Sequence, residues 1–384
     1  MTNGEIDKAH DLLKKDLWKY TNSKDVVEEL FSYSSNVFPK LQGKIKLPLS
    51  DESHIPAWKF YKKNSENNFL LDELKSVFPS LNFPIKKGIN TSEDYDKAVF
   101  KGHSVQNLAE ATGLDLIQPN DIHLQFIEGL VGRIPAIIVE NFQDFESLIQ
   151  ALVYKNQPRE IPPAMGASLI KGLNNRHRLK NALIDLENRI ISSKNDQRKE
   201  ILSNKSLYQD TIIIASKNPY SNVYPSGYSK PEWIEDSLSL RLNHEYAHYA
   251  TLRLFGIIRS NLHDEILADF LGIVGIKGNF KADLFLHFLG LEQYPKYRKG
   301  GRMENYTKNI SFEGFEVLKT MIYRAAHNIE KYDQSIQSEN FKHKAFFQML
   351  TLSQLSIIEL AKDNSILVLK KNYFELVDKF YNQV

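Results

Sequence analysis

Apolar and polar residues recur along most of the chain with the period of amphipathic helices. Between residues 4 and 38 the apolar positions keep near-helical spacing, which predicts one or two helices. Periodic stretches at about 313–331, 338–362 and 372–382 predict further helices, and the short run SILVLKK at 365–371 fits either a strand or a helix. The pattern therefore predicts a chain that is mostly helical.

Two short runs depart from the helical pattern. IPAIIVE at 134–140 and DTIIIAS at 210–216 are apolar and β-branched, which predicts two buried strands. A helical run, FQDFESLIQALV, follows the first strand, with Asp144 as its expected N-cap. Residues 155–181 carry several prolines and glycines and end in the polar string NNRHR, which predicts a long loop. A few strands among many helices indicate an α+β fold.

The clearest helix signals lie between residues 229 and 275. A capping box formed by Ser229 and Glu232, together with a stop at Gly256, predicts a helix over about 231–255. A second helix is expected over about 262–275. The loop between them, GIIRSNL, is short enough to make the two helices antiparallel neighbours.

The first of these helices carries the string HEYAH, which begins at His244. Residues four apart share one face of a helix, so His244 and His248 can direct ring nitrogens at one ion. In the string HDEILAD of the second helix, Glu265 can supply a third ligand. Asp269, one turn later, can accept a hydrogen bond from the outer nitrogen of a ligand histidine. Asp264 remains an alternative third ligand, because spacing alone does not separate two adjacent carboxylates.

HEYAH followed by DEILAD resembles the pattern of the gluzincin metallopeptidases. The resemblance implies a zincin-like metal-binding helix pair beside a small sheet, with helical regions before and after it. It also implies one Zn²⁺ ion bound by His244, His248 and Glu265. Glu245 would then be the general base and Asp269 the aspartate behind the ligands. Zinc suits a site of two histidines and one glutamate, although iron and manganese also remain possible metals.

Other strings are similar to those of a bacterial protein family known only as a domain of unknown function. They include FPIKKGIN, PPAMGASLIKGLNN and SKNPYSNV, as well as the two metal-site strings. This resemblance implies one unit over roughly residues 80–290. It implies no substrate.

The motif leads to three hypotheses about function. The first is a zinc-dependent hydrolase of a peptide or amide bond, in which Glu245 takes a proton from water and passes it to the leaving nitrogen. The second is a metal-dependent biosynthetic enzyme that acts on one dedicated small molecule or modified peptide. The third is a non-catalytic, metal-stabilised binding protein. Structural zinc usually has four protein ligands, and the sequence offers three, which favours the two enzymatic hypotheses.

A hydrolase also needs a donor for the developing oxyanion, and His263 is the first candidate for this catalytic role. Other candidates flank the two helices, namely Tyr220, Tyr224, Tyr228 and Arg259. In NNRHR, Arg176 or Arg178 is a candidate for binding a substrate carboxylate, beside the simpler interpretation of a solvated loop. DTIIIAS is a candidate for pairing with an extended substrate, although its apolar centre also fits a core strand.

Composition narrows the partners and the location. The chain has 384 residues and a formal net charge of +2, which gives no reason to expect nucleic acid or an anionic membrane as a partner. The absence of cysteine excludes disulfides, thiolate zinc sites and a thiol nucleophile. The charged N-terminal string and the lack of a long apolar run predict a cytoplasmic protein. The expected partner is a peptide or amide-containing substrate, and the oligomeric state is left open.

The length of the chain suggests several regions. We expect an N-terminal mixed α/β region at 1–145 and a metallohydrolase core with both metal-site helices at 146–300. A C-terminal helical region is expected at 301–384.

Overall fold

The computed structural model describes residues 3–35, 38–40, 46–66, 68–187, 201–337 and 341–381. The described α-helices are α1 Asn3–Leu17, α2 Lys24–Ser34, α3 Ile55–Asn64, α4 Leu70–Val77, α5 Glu93–Tyr95, α6 Phe142–Leu152, α7 Arg176–Glu187, α8 Lys230–Phe255, α9 Leu262–Lys277, α10 Ala282–Leu289, α11 Phe312–Ser335, α12 Lys344–Leu352, α13 Ile357–Leu360 and α14 Ser365–Tyr381. The described strands are β1 His123–Ile127, β2 Ile134–Val139, β3 Ala167–Asn174 and β4 Gln209–Ser216. The fold is α+β and mostly helical, which confirms the fold class predicted from the sequence.

The chain forms two compact units. Unit 1 combines Met1–Leu47 with Val223–Val384, and unit 2 is Pro48–Asn222. This division differs from the three consecutive regions expected from the sequence, because the N-terminal helices join the C-terminal half of the chain. In unit 1 the carboxylate of Glu29, in α2, accepts hydrogen bonds from the backbone N–H (2.8 Å) and hydroxyl (2.6 Å) of Ser311, the N-cap of α11.

Unit 2 contains the sheet, in the order β1-β2-β4-β3. β2 and β4 are parallel, and each has an antiparallel strand on its other side. The two central strands carry the buried apolar runs that predicted them, and they pack on Trp58, Phe145 and other core residues. The hypothesis that DTIIIAS offers a free edge to an extended substrate is wrong, because β4 is already hydrogen-bonded on both sides.

The prediction of a long loop over 155–181 is also wrong for the second half of that range, where the chain forms β3 and the start of α7. The alternation of the strand is hidden by a register shift between Lys171 and Leu173, around Gly172 with a φ of 78°. The prolines lie before the strand and do not interrupt it. Because of this bulge, the apolar and polar residues of β3 do not alternate regularly, and the sequence did not indicate a strand.

One local prediction needs correction, and one that the sequence left open is resolved. Asn141, not Asp144, is the N-cap of α6, and its side chain accepts a hydrogen bond from the backbone N–H of Asp144 at 2.9 Å. The carboxylate of Asp144 instead accepts hydrogen bonds from the backbone N–H groups of Ile117 (2.7 Å) and Gln118 (2.9 Å). The ambiguous run SILVLKK is helical and begins α14.

Unit 1 contains the two helices that carry HEYAH and DEILAD. The Ser229–Glu232 capping box is present at the start of α8, and Gly256, with a φ of 73°, ends the helix. The helices approach closely where Gly272 of α9 faces α8, since an added Cβ there would lie 3.0 Å from the carbonyl oxygen of Leu240. Among the residues described, no helix is long and apolar enough to cross a membrane.

Candidate metal centre

His244 and His248 lie one turn apart on the buried face of α8. Their Nε2 atoms are 3.1 Å apart. Glu265, in the first turn of α9, places Oε2 3.7 Å from His244 Nε2 and Oε1 3.7 Å from His248 Nε2. One ligand atom from each residue lies within 4.8 Å of the other two. All three residues are buried, and together they could hold one metal ion.

Each histidine has a carboxylate on its outer nitrogen. His244 Nδ1 lies 2.9 Å from Asp269 Oδ1, and His248 Nδ1 lies 3.3 Å from Asp264 Oδ1. An ionised carboxylate can only accept a hydrogen bond, so it favours the tautomer with the proton on Nδ1. When both rings are neutral in that tautomer, each Nε2 can present its lone pair to the centre of the site, as metal binding requires.

The two candidate third ligands are separated by the structure. Asp264 lies on the outer side of His248, and its Oδ2 accepts the backbone N–H of Arg259 at 2.8 Å. Glu265 lies on the inner side, facing both Nε2 atoms. The geometry therefore groups Glu265 with the two histidines and gives Asp264 a supporting position.

Two further side chains reach the centre from a short 3₁₀ helix, Arg302–Tyr306. The guanidinium of Arg302 donates a hydrogen bond to Asp269 Oδ2, and its Nη2 lies 3.8 Å from Glu265 Oε2. Burial and the neighbouring carboxylate of Glu265 raise the pKa of the Tyr306 phenol well above its usual range. Neither residue lies in a string with metal-site spacing, so nothing local in the sequence could have indicated them.

The centre is acidic and buried. Four carboxylates surround the histidines, namely Glu245, Asp264, Glu265 and Asp269. Burial lowers the pKa of His248, but Asp264 and the other nearby carboxylates outweigh this effect and raise it to about 10. Since burying several like charges is costly, these surroundings favour a cation at the centre.

A model of a protein family matches residues 15–364. The chain belongs to DUF7005, a family of unknown function. The expected kinship with an uncharacterised family is confirmed, and the DUF7005 match extends well beyond the 80–290 range inferred from the quoted strings. No curated protein and no solved structure matches the chain.

In this DUF7005 chain, His263 lies apart from the ligand atoms. It is two positions before Glu265 on α9, which is about 200° around a helix with 3.6 residues per turn. Its Nε2 lies 3.2 Å from the carbonyl oxygen of Leu352, its ring packs on Phe38, and burial lowers its pKa. The imidazole is therefore a core group of unit 1.

The other candidates from the sequence are dispersed. Arg259 supports Asp264 through its backbone, while its guanidinium lies over the ring of Phe38. Tyr228 packs against Trp233 at the start of α8, and Lys277 lies over its ring. The exposed ring of Tyr224 lies beneath the ammonium group of Lys230.

The remaining candidates belong to unit 2. Tyr220 is buried there. The guanidinium of Arg176 donates hydrogen bonds to the carbonyl oxygens of Ala98 (2.8 Å) and Val99 (2.7 Å). Arg178 forms an ion pair with Asp210 in the interior of that unit. The two arginines of NNRHR thus form internal contacts of unit 2, where the sequence suggested a carboxylate-binding or solvated loop.

Proposed function

We propose that this protein is a zinc-dependent hydrolase of a peptide or amide bond. The observation that supports this function is the buried group of His244, His248 and Glu265, in which both histidines have a carboxylate on the outer nitrogen. Zinc suits a set of two nitrogen ligands and one oxygen ligand. The proposal requires one part of a zincin-like arrangement, namely a helix with the two histidines packed against an antiparallel helix with the glutamate, and α8 and α9 form such a pair.

A zinc ion held by these ligands would lower the pKa of a water molecule towards neutrality and polarise a substrate carbonyl. Glu245 follows the first ligand directly and is buried in the same helix. Its carboxylate would take the proton of the attacking water as the C–O bond forms. It would then return that proton to the leaving nitrogen as the C–N bond breaks.

The supporting residues have separate tasks in this proposal. Asp269 and Asp264 hold the imidazole rings with Nε2 directed inward. The phenol of Tyr306 lies beside the carboxylate of Glu265 and is protonated at neutral pH, so it can donate a hydrogen bond. We assign to Tyr306 the role of oxyanion donor that the sequence suggested for His263.

A structural zinc site is a weaker explanation for the same residues. Such sites usually have four protein ligands, whereas the metal-ligand group found in the described part of the chain has three. Three protein ligands leave a position for water, as in catalytic sites. A structural site also gives no reason to bury the carboxylate of Glu245 beside the ligands.

Zinc content tests the proposal directly. We expect about one zinc ion per chain in purified wild-type protein, by elemental mass spectrometry. His244→Ala should lose it, because two protein ligands hold zinc poorly. His103→Ala is the matched control, since His103 is exposed in unit 2. If the wild type contains no metal ion and takes up none even when zinc is supplied, the metal-dependent function is wrong.

A second prediction separates Glu265 from Asp264. Glu265→Gln removes a ligand and should weaken zinc binding more than Asp264→Asn. For Asp264→Asn we expect a loss of about 10–100-fold, the usual effect of removing a partner behind a ligand. Competition with a chelating dye measures both dissociation constants. The reverse order would make Asp264 the third ligand.

A further inference from the structure

Arg302 is placed by a loop that closes on itself. The segment between α10 and Arg302 begins at Gly290 and ends at Gly301, and the two glycines meet backbone to backbone. An added Cβ on Gly301 would lie 2.7 Å from the Cα of Gly290, and one on Gly290 would lie 2.9 Å from the Cα of Gly301. The Gly290 carbonyl also accepts the backbone N–H of Arg298 at 2.8 Å. The backbone directly before Arg302 is therefore held in place by the contact between Gly301 and Gly290.

The other end of the 3₁₀ helix is also attached. The hydroxyl of Tyr33 donates a hydrogen bond to the carbonyl oxygen of Tyr306 at 3.3 Å. The hydroxyl oxygen of Tyr33 in turn accepts the backbone N–H of Leu262, the first residue of α9, at 3.1 Å. The segment that carries Arg302 is thus held both at α10 and at the start of the helix that supplies Glu265.

From this fixed segment, Arg302 reaches the carboxylates of Glu265 and Asp269, which lie one turn apart on α9. It donates a hydrogen bond to Asp269, which in turn holds His244 Nδ1, and it lies 3.8 Å from the ligand carboxylate of Glu265. It is itself buried. A buried guanidinium with a fixed position can orient carboxylates more strictly than water would, because its donors have a rigid geometry.

We infer that Arg302 is the positioning residue of the metal centre, which fixes His244 through Asp269 and places a positive charge 3.8 Å from the Glu265 carboxylate. The inference rests on the proposed function in one respect, namely that a metal ion binds at this centre. In this role Arg302 contacts neither the ion nor the substrate. Its effect is to keep the ligands in the arrangement that binds the ion.

Metal affinity and geometry test this inference in the full chain. For Arg302→Met we expect zinc affinity to fall about 10–100-fold, because Asp269 loses its donor. The visible absorption spectrum of Co²⁺ bound in place of zinc should change, since it reports ligand geometry. Arg302→Lys keeps a cation and should recover part of the affinity. Lys308→Met removes a charge at an exposed position nearby and should match the wild type.

The outcomes separate the two proposals. If wild-type protein binds zinc and Arg302→Met keeps both its affinity and its Co²⁺ spectrum, the positioning role is wrong and the metal site stands. Equal losses in Arg302→Met and Lys308→Met, or no recovery in Arg302→Lys, would also overturn it. If Arg302→Met does not fold, Arg302→Gln replaces it with the same expectations. Failure of the wild type to bind metal overturns the proposed function itself.

Discussion

Replacing Glu245 with glutamine is expected to leave zinc bound while lowering turnover by about 10²–10⁴-fold, the usual contribution of a general base. Glutamine has nearly the same shape as glutamate, so α8 and the two histidine ligands should be undisturbed. Its amide cannot accept the proton of the attacking water. The variant therefore separates proton transfer from metal binding.

The experiment needs two readouts. Elemental mass spectrometry reports zinc, and mass spectrometry of digested peptide libraries reports cleaved bonds and their rates. Glu235→Gln is the matched control, because Glu235 is an exposed glutamate of the same helix. Full turnover in Glu245→Gln would rule out the general-base role. If the wild type cleaves no generic peptide although it binds zinc, a dedicated small molecule or modified peptide becomes the better substrate hypothesis.

Replacing Asp210 with alanine is expected to lower the free energy of unfolding of unit 2 by about 3–5 kcal/mol, the cost of breaking a buried ion pair. Asp210 is fully buried in β4. It accepts hydrogen bonds from Trp58 Nε1 (2.8 Å) and Asn175 Nδ2 (2.7 Å), and from the guanidinium of Arg178. Burial raises its pKa, and these donors oppose that effect. Alanine would leave the charge of Arg178 without its carboxylate.

Urea unfolding followed by tryptophan fluorescence measures this change, because Trp58 lies at the altered site. Asp185→Ala is the matched control, since Asp185 is an exposed aspartate of α7 in the same unit. It should change the stability by less than about 0.5 kcal/mol, as is usual for surface positions. An Asp210→Ala protein as stable as this control would show that the buried network contributes no stability.

The features predicted correctly from the sequence depend on neighbours in the chain. The Ser229–Glu232 capping box and Gly256 define α8 because caps act within one turn of a helix end. His244 and His248 share a face through helix geometry alone, and Glu265 follows after one short loop. Such signals are local, and they were sufficient to bring three potential ligands together.

The features that were missed depend on contacts far apart in sequence. Arg302 reaches Asp269 across 33 positions, through a loop whose course depends on two glycines packing together. Thr21 in the N-terminal part of unit 1 donates a hydrogen bond to Glu313 across 292 positions. The periodicity of apolar residues over a short stretch of sequence does not indicate which distant residues form hydrogen bonds with each other. The bulge at Gly172 is a third case, because it shifts the alternation that marks a strand.

The discontinuity of unit 1 has a consequence for synthesis on the ribosome. Unit 2 is one continuous stretch with its own core, so it can fold once residues up to Asn222 have emerged. The N-terminal helices can complete their contacts in unit 1 only after later residues are made, because the hydroxyl of Tyr33 accepts a hydrogen bond from the backbone N–H of Leu262, 229 positions along the chain. Domains generally fold as units in the order in which they are translated. We therefore expect unit 1, with the candidate metal centre, to complete its fold after unit 2, and a nascent chain stalled before Arg302 would carry the ligand residues without the arginine that contacts Asp269.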